Sequence, residues 1–284
     1  MSHIVIDPHT FDELQANAGA DFVAELVDTF GDEAPPLLAE LRSALAAGAA
    51  ERFRRAAHSL KSNSSTFGAT RLAAMDATVI LTGRDEARVQ QVARDLEERG
   101  HRAQGIGCDV TDLASVEALG THLRKTYGRV DVLVNNAGIG GPSALLHELV
   151  PADWDAIFHT NLRGVYYMIR SVVPLMIATG AGHIINISSL AGKNPLPRGA
   201  AYSASKWGLN GLSYGLAEEL RGQNIRVSVI CPGSVDTDFS PRRGGKDTRK
   251  MLKPDDVAQA VAMLVTQEPQ SFISEILLRP TQKP

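Results

Sequence analysis

His183-Ile184-Ile185-Asn186-Ile187-Ser188-Ser189 is a short apolar run ending in two hydroxyls, and Ala201-Tyr202-Ser203-Ala204-Ser205-Lys206 opens a helical segment shortly after it. A short apolar run followed by a helix is half of a βαβ unit, the repeat from which parallel sheets are built. The same alternation extends outward in both directions. Upstream, strand-like runs at 78–82, 104–108 and 130–134 alternate with helical segments over 85–100, 112–127 and 151–176. Downstream, a helix over 201–222 leads to a strand at 226–230, a helix over 254–266 and a last strand at 275–278. The chain from about residue 74 to 284 is therefore expected to be an α/β domain, a Rossmann-like doubly wound parallel sheet. Such sheets hold ligands beyond the carboxyl ends of their strands, which puts the Ser189 hydroxyl where chemistry happens.

The texture before residue 77 is different. Phe11, Leu14, Phe22, Leu26 and Phe30 recur at near-helical spacing, Leu38, Leu41 and Leu45 follow in a second amphipathic run, and Phe53, Ala57 and Leu60 mark a third. Residues 1–70 carry 10 acidic and 5 basic side chains against 22 and 24 in the remainder, so a net charge of -3 conceals an acidic front and a slightly basic body. The expected organisation is a partial α-helical bundle over 1–73 preceding the α/β domain over 74–284. With 44% hydrophobic residues, the chain has ample material for a core, and its near-neutral charge gives no reason to expect nucleic acid or a membrane as partner. Cys108 and Cys231, each among apolar neighbours, read as buried thiols rather than a disulfide. The first residues lack a basic region followed by a long apolar one, and no run approaches the ~18 apolar residues of a membrane span. A soluble cytoplasmic protein is the expectation, with no metal site.

On a helix, Tyr202 and Lys206 lie four residues apart and share a face. An ammonium beside a phenol favours the phenolate and is expected to lower its pKa, making it a usable general acid or base. Ser189 stands thirteen residues upstream of Tyr202, and Asn161, in Asn161-Leu162-Arg163-Gly164, adds a fourth polar group. Asn135-Asn136-Ala137-Gly138 closes another strand with small residues that admit a flat ligand. With Pro232-Gly233-Ser234-Val235-Asp236-Thr237, these motifs resemble the short-chain dehydrogenase/reductases over about residue 72 to the end. The resemblance implies hydride transfer between a nicotinamide cofactor and a small-molecule carbonyl or alcohol, in a homo-oligomer assembled through the helices carrying Asn161 and Tyr202. It makes Tyr202 the proton donor and acceptor and Lys206 the residue that tunes it and binds the nicotinamide ribose. Ser189 would orient the carbonyl and Asn161 would hold a water linking Lys206 to solvent. Asp109 and Val110 would flank the adenine, Asn135, Ala137 and Gly138 the adenosine ribose side, and Pro232, Gly233, Val235 and Thr237 the carboxamide. After the first strand, Gly83 stands where an NAD-preferring chain places an acid, and Arg84 follows it, which suits a ribose 2′-phosphate and favours NADP over NAD. Arg242, Arg243, Lys246, Arg249, Lys250 and Lys253 form a basic cluster that suits either an anionic substrate or a solvated loop.

The family pattern begins with a strand, a Thr-Gly-x-x-x-Gly-x-Gly turn and a helix, and residues 1–77 contain no such turn. That turn is where backbone N–H groups and a helix N-terminus hold the pyrophosphate. The sheet is thus expected to lack its first βα unit, between the strands that begin at Thr78 and Val130, with cofactor binding impaired. The run His3-Ile4-Val5-Ile6-Asp7 is the one short β-like stretch that could enter the gap. Residues 71–77 suit either the end of the lost helix or a helix of the N-terminal segment.

Within that segment, Ala57-His58-Ser59-Leu60-Lys61-Ser62-Asn63-Ser64-Ser65 places an imidazole and an ammonium on one helical face among small neighbours. An imidazole nitrogen can accept a phosphoryl group whose charge the lysine offsets. Residues 5–73 resemble the front of a histidine-containing phosphotransfer domain, which implies His58 as phospho-acceptor and a response-regulator receiver domain as partner. Ser62 departs from the glycine frequent in that family, and its last two helices are missing. Three functions follow from the sequence: an NADP-dependent reductase, a phosphorelay module acting through His58, and a chimeric chain with neither activity intact.

Overall fold

The computed structural model describes Ala73, residues 77–237, Phe239, and residues 247–268 and 270–283 of the 284. The N-terminal helices, the 3–7 run, His58, Arg242, Arg243 and Lys246 lie outside the described residues. Strands and helices alternate as β1 (Thr78–Gly83), α1 (Glu86–Glu98), β2 (Arg102–Gly107), α2 (Leu113–Thr126) and β3 (Val132–Asn135). They continue as α3 (Pro151–Phe158), a π-helical turn (His159–Arg163), α4 (Gly164–Thr179), β4 (Gly182–Ile187), α5 (Ala200–Leu220), β5 (Ile225–Pro232), α6 (Pro254–Val265) and β6 (Glu275–Leu278). Each helix start has a local cause. Asp85 and Asp112 cap α1 and α2 through their side chains, and α6 begins at Pro254 with the Asp256 carboxylate accepting from the Lys253 amide at 2.7 Å. The helix expected over 151–176 is broken by the π-helical turn, whose extra residue turns Asn161 inward.

All described strands pair in parallel, but in two sheets: β1 with β2, and β3-β4-β5-β6. Among the described residues no strand joins β1 to β3. Alternate residues of each strand face opposite layers, as the two-residue period requires. On one face Ile80, Leu133, Ile184 and Val227 join α2, α4 and α5 in a core that runs across both sheets. On the other face the core is in two pieces. Val79 and Leu81 pack with α1, while Ile185 and Ile230 pack with α6. β1 is correspondingly half exposed, whereas the interior of β4 is buried. Ala73, helical and buried, packs with Ala93 and Leu96 of α1 and Ala103 of β2. Gly105 lets α1 lie flush on β2, since a Cβ there would stand 2.3 Å from the Val89 carbonyl oxygen. Both cysteines are buried and free. Among the described residues no helix is long and apolar enough to cross a membrane.

One core group carries a pH dependence. Ser228 Oγ donates to the Ile273 carbonyl at 2.6 Å, so it accepts from His183 Nε2 at 2.8 Å. The imidazole Nδ1 is then a buried lone pair without a partner. Burial first, and the Arg226 guanidinium second, push the His183 pKa down to about 4. Between pH 6.5 and 4 the unfolded chain takes up this proton before the folded one, so stability falls as pH drops through that window, by about 3 kcal/mol from this residue. Urea unfolding at a series of pH values checks this, with His183→Asn expected to flatten the upper part of the window; an unchanged slope in that variant would remove His183 as the cause.

Candidate active site

The predicted site residues gather beyond the carboxyl ends of the strands. Arg84 follows β1, Asp109 and Val110 follow β2, Asn135 to Gly138 end and follow β3, Ser189 follows β4, and Pro232 to Thr237 end and follow β5. At the centre, Ser189 caps a 3-10 turn (Leu190–Gly192), and its Oγ accepts from the Ala191 amide at 3.1 Å. The Tyr202 phenol enters beside that hydroxyl from the first turn of α5. Lys206, one turn further on, is 3% exposed and donates to the Ile187 carbonyl at 2.9 Å.

Lys206 Nζ stands 6.0 Å from the Tyr202 ring centre and donates one of its three protons to the Ile187 carbonyl. Burial is the largest influence on Tyr202 and pushes it above its ordinary value, opposed by the nearby Ser189 hydroxyl. Burial likewise pulls the Lys206 ammonium down to about 8. Desolvation disfavours whichever form is charged, and here it acts on both partners.

Asn161 is fully buried, and its amide is a two-sided fastener. Oδ1 accepts from the Ile139 amide at 2.8 Å, while Nδ2 donates to the Ile139 carbonyl at 2.9 Å and to Ser205 Oγ at 3.0 Å. Ser205 passes the link to the Tyr202 carbonyl at 2.7 Å, so the loop after β3 is tied to the first turn of α5. Asn135 faces away from the cleft, since its amide donates to Asn186 Oδ1 at 2.8 Å and Asn186 donates to Ser213. This buried polar chain explains why α5 has so little amphipathic contrast: its inner face carries Ser203, Ser205, Asn210 and Ser213. The chain joins residues far apart in sequence, and no local spacing points to it.

The nicotinamide-ribose end of a dinucleotide fits the residues present. A Cβ on Gly138 would stand 3.3 Å from Asn161 Oδ1, 3.6 Å from Lys206 Nζ and 3.7 Å from the Phe239 ring, so the glycine lets the loop after β3 lie close against the Lys206 ammonium. Among the described residues, the helix that follows β1 opens with Asp85 and Glu86, so its N-terminus is not a phosphate site. At the adenine end Arg84 is exposed and close enough to help hold the Asp109 carboxyl below its ordinary value, after the hydrogen bonds from Thr111. Asp109 accepts from Thr111 N and Oγ1 at 2.9 and 2.7 Å. Val110 packs under Gly164, where a Cβ would meet its Cγ2 at 2.9 Å. Gly233 donates to the Leu278 carbonyl, Val235 bridges to Leu252, and Thr237 donates to the Val235 carbonyl, which fixes the loop after β5. Of the described basic cluster, Arg249 pairs with Asp247 at 3.0 Å and Lys253 with Asp236 at 3.1 Å, so two of its charges are neutralised in place.

Residues 66–247 match the family model described as short chain dehydrogenase, and residues 25–78 match that of the Hpt domain. An uncharacterized oxidoreductase of Staphylococcus saprophyticus is 36% identical over 212 residues, 74% of this chain and 89% of the relative. Among solved structures, a metagenomic short-chain oxidoreductase in complex with NADP is 44% identical, with a TM-score of 0.68 over 78% of this chain and 95% of its own. An alcohol dehydrogenase of the archaeon Thermococcus sibiricus complexed with 5-hydroxy-NADP is 29% identical, with a TM-score of 0.71 over 77% of this chain and 92% of its own.

Proposed function

The chain belongs to the short-chain dehydrogenase/reductase family, and we propose on that footing that it moves hydride between NADP and a small-molecule carbonyl or alcohol, with a weakened hold on the cofactor. The observation that carries this reading is the meeting of Ser189, Tyr202 and Lys206 beyond the carboxyl end of β4, with Lys206 tied to the Ile187 carbonyl at 2.9 Å and Ser189 capping the turn that follows the strand. When bound, the reduced cofactor supplies hydride to the carbonyl carbon; the protein supplies position and a proton. Ser189 Oγ donates to the carbonyl oxygen and aims it at Tyr202. The Tyr202 phenol, kept protonated by burial, gives its proton to that oxygen as negative charge develops there. Lys206 takes the nicotinamide ribose and, with a pKa of about 8, returns a proton to Tyr202 near neutral pH. Both amide hydrogens of Asn161 are committed, so a relay water beside it would be held by an acceptor, the backbone carbonyl of the π-helical turn.

Arg84 after β1 supports NADP, as do the solved relatives, whose complexes hold NADP or a derivative of it. Asp109 and Val110 would hold the adenine, Asn135, Ala137 and Gly138 the adenosine ribose side, and Pro232, Gly233, Val235 and Thr237 the carboxamide. The two buried free thiols suit a reducing cytoplasm. Tyr166 on α4 and Trp207 on α5, each about half exposed, support self-association through those helices. The Hpt match over residues 25–78 supports a second activity, phosphoryl transfer at His58. NADPH oxidation across a panel of ketones and aldehydes tests the first reading, and acid-labile phosphate uptake from a phosphorylated receiver domain, lost in His58→Gln, tests the second. Failure of both would favour a chimeric chain with neither activity.

A further inference from the structure

A second polar cluster stands directly behind the serine turn. Lys193 ends the Leu190–Gly192 turn that Ser189 begins, and its Nζ lies 2.6 Å from Glu275 Oε1 on β6. The same ammonium donates to Tyr214 OH on α5 at 2.5 Å, and that phenol donates to Glu275 Oε1 at 2.7 Å. Three groups from a turn, a helix and the last strand thus close one hydrogen-bonded ring, with the Lys193 and Glu275 side chains only about a quarter exposed. Burial alone would raise the Glu275 carboxyl, yet the hydrogen bonds from Lys193 and Tyr214 hold it below its ordinary value. The other side of the turn is fastened as well. Asn210 Nδ2 donates to the Gly192 carbonyl at 2.9 Å, and a Cβ on Gly192 would stand 2.9 Å from the Lys206 carbonyl oxygen. The turn that carries Ser189 is therefore wedged against the helix segment that carries Lys206.

We propose that Lys193, Glu275 and Tyr214 form a clamp that positions the Ser189 hydroxyl against Tyr202, so that they are positioning residues for the reaction. The proposal rests on the reductase reading. An isolated ion pair on the surface would add little, but a three-member ring linking elements 82 residues apart is a geometric constraint on the turn between them. Displacing a reacting group by about 1 Å costs on the order of 100-fold in rate, so a loosened turn would appear in kcat.

The test uses the full chain with Lys193→Met, Glu275→Gln and, as the conservative rescue, Lys193→Arg, followed by steady-state NADPH oxidation and residue-resolved amide hydrogen exchange. Lys193→Met and Glu275→Gln are expected to lower kcat by roughly 10- to 100-fold with the KM for NADPH unchanged. Lys193→Arg is expected to restore most of kcat. The Gly192, Lys193 and Asn194 amides, which bond inside the turn, are expected to exchange faster while those of β4 and β5 do not change. Unchanged kcat, or faster exchange spread evenly over the domain, would overturn the clamp. If the unsubstituted protein turns over no carbonyl substrate, the reductase reading fails, and the exchange measurement alone then decides the clamp: local acceleration supports it and none overturns it.

Discussion

Tyr202→Phe is expected to lower kcat for NADPH-dependent carbonyl reduction by roughly 10²- to 10⁴-fold, the range over which a positioned general acid contributes. The ring would keep its packing, with Phe239 5.7 Å away, so the variant removes one oxygen and little else. Cofactor affinity is expected to move by no more than a few-fold, since Lys206 keeps its bond to Ile187. The reading also has a pH signature. Because burial pulls Lys206 down to about 8 and holds Tyr202 high, reduction is expected to fall as pH rises past that value, when the ammonium that reprotonates the phenol is lost. Steady-state rates between pH 6 and 10 check both statements, and a variant with unimpaired kcat would show that Tyr202 is not the proton donor.

The second large effect concerns affinity. A chain with the glycine-rich turn gives the pyrophosphate several backbone N–H bonds to a charged acceptor, each contributing about 1.5–3 kcal/mol. Losing two of them costs about 3–6 kcal/mol, or roughly 10²- to 10⁴-fold in Kd. NADPH is therefore expected to bind far more weakly than micromolar, and scarcely better than the sum of its nicotinamide and adenine ends. Arg84 still contributes to the adenine end, so 2′,5′-ADP is expected to compete while 5′-ADP does not. Titration calorimetry of the full chain with these ligands measures the effect, and a micromolar Kd for NADPH would refute the impaired site.

Much of the fold was legible because its signals are local. The alternation of apolar runs and helical segments marked β1 to β6 within a few residues. Ser189, Tyr202 and Lys206 were legible because strand end and helix start fix their spacing. The state of Tyr202 was not, since spacing places Lys206 on the right face but says nothing of how deeply both groups are buried. The π-helical turn was invisible because its cause, the pairing of Asn161 with Ile139 across 22 residues, is tertiary. The Asn135–Asn186–Ser213 chain and the Lys193–Glu275–Tyr214 ring escaped for the same reason: their members come together only after the strands have paired.

The divided sheet also ties ligand binding to cooperativity. Arg84 and Asp109 stand on the β1–β2 piece, while Ser189, Tyr202 and Lys206 stand on the four-stranded piece, and among the described residues the shared core on one face is what couples them. In an undivided sheet the backbone ladder fixes the distance between the two ends of a dinucleotide before it arrives. Here the described strands leave that distance to the shared core, so a ligand that spanned both pieces would add a second link between them and raise the domain's resistance to unfolding.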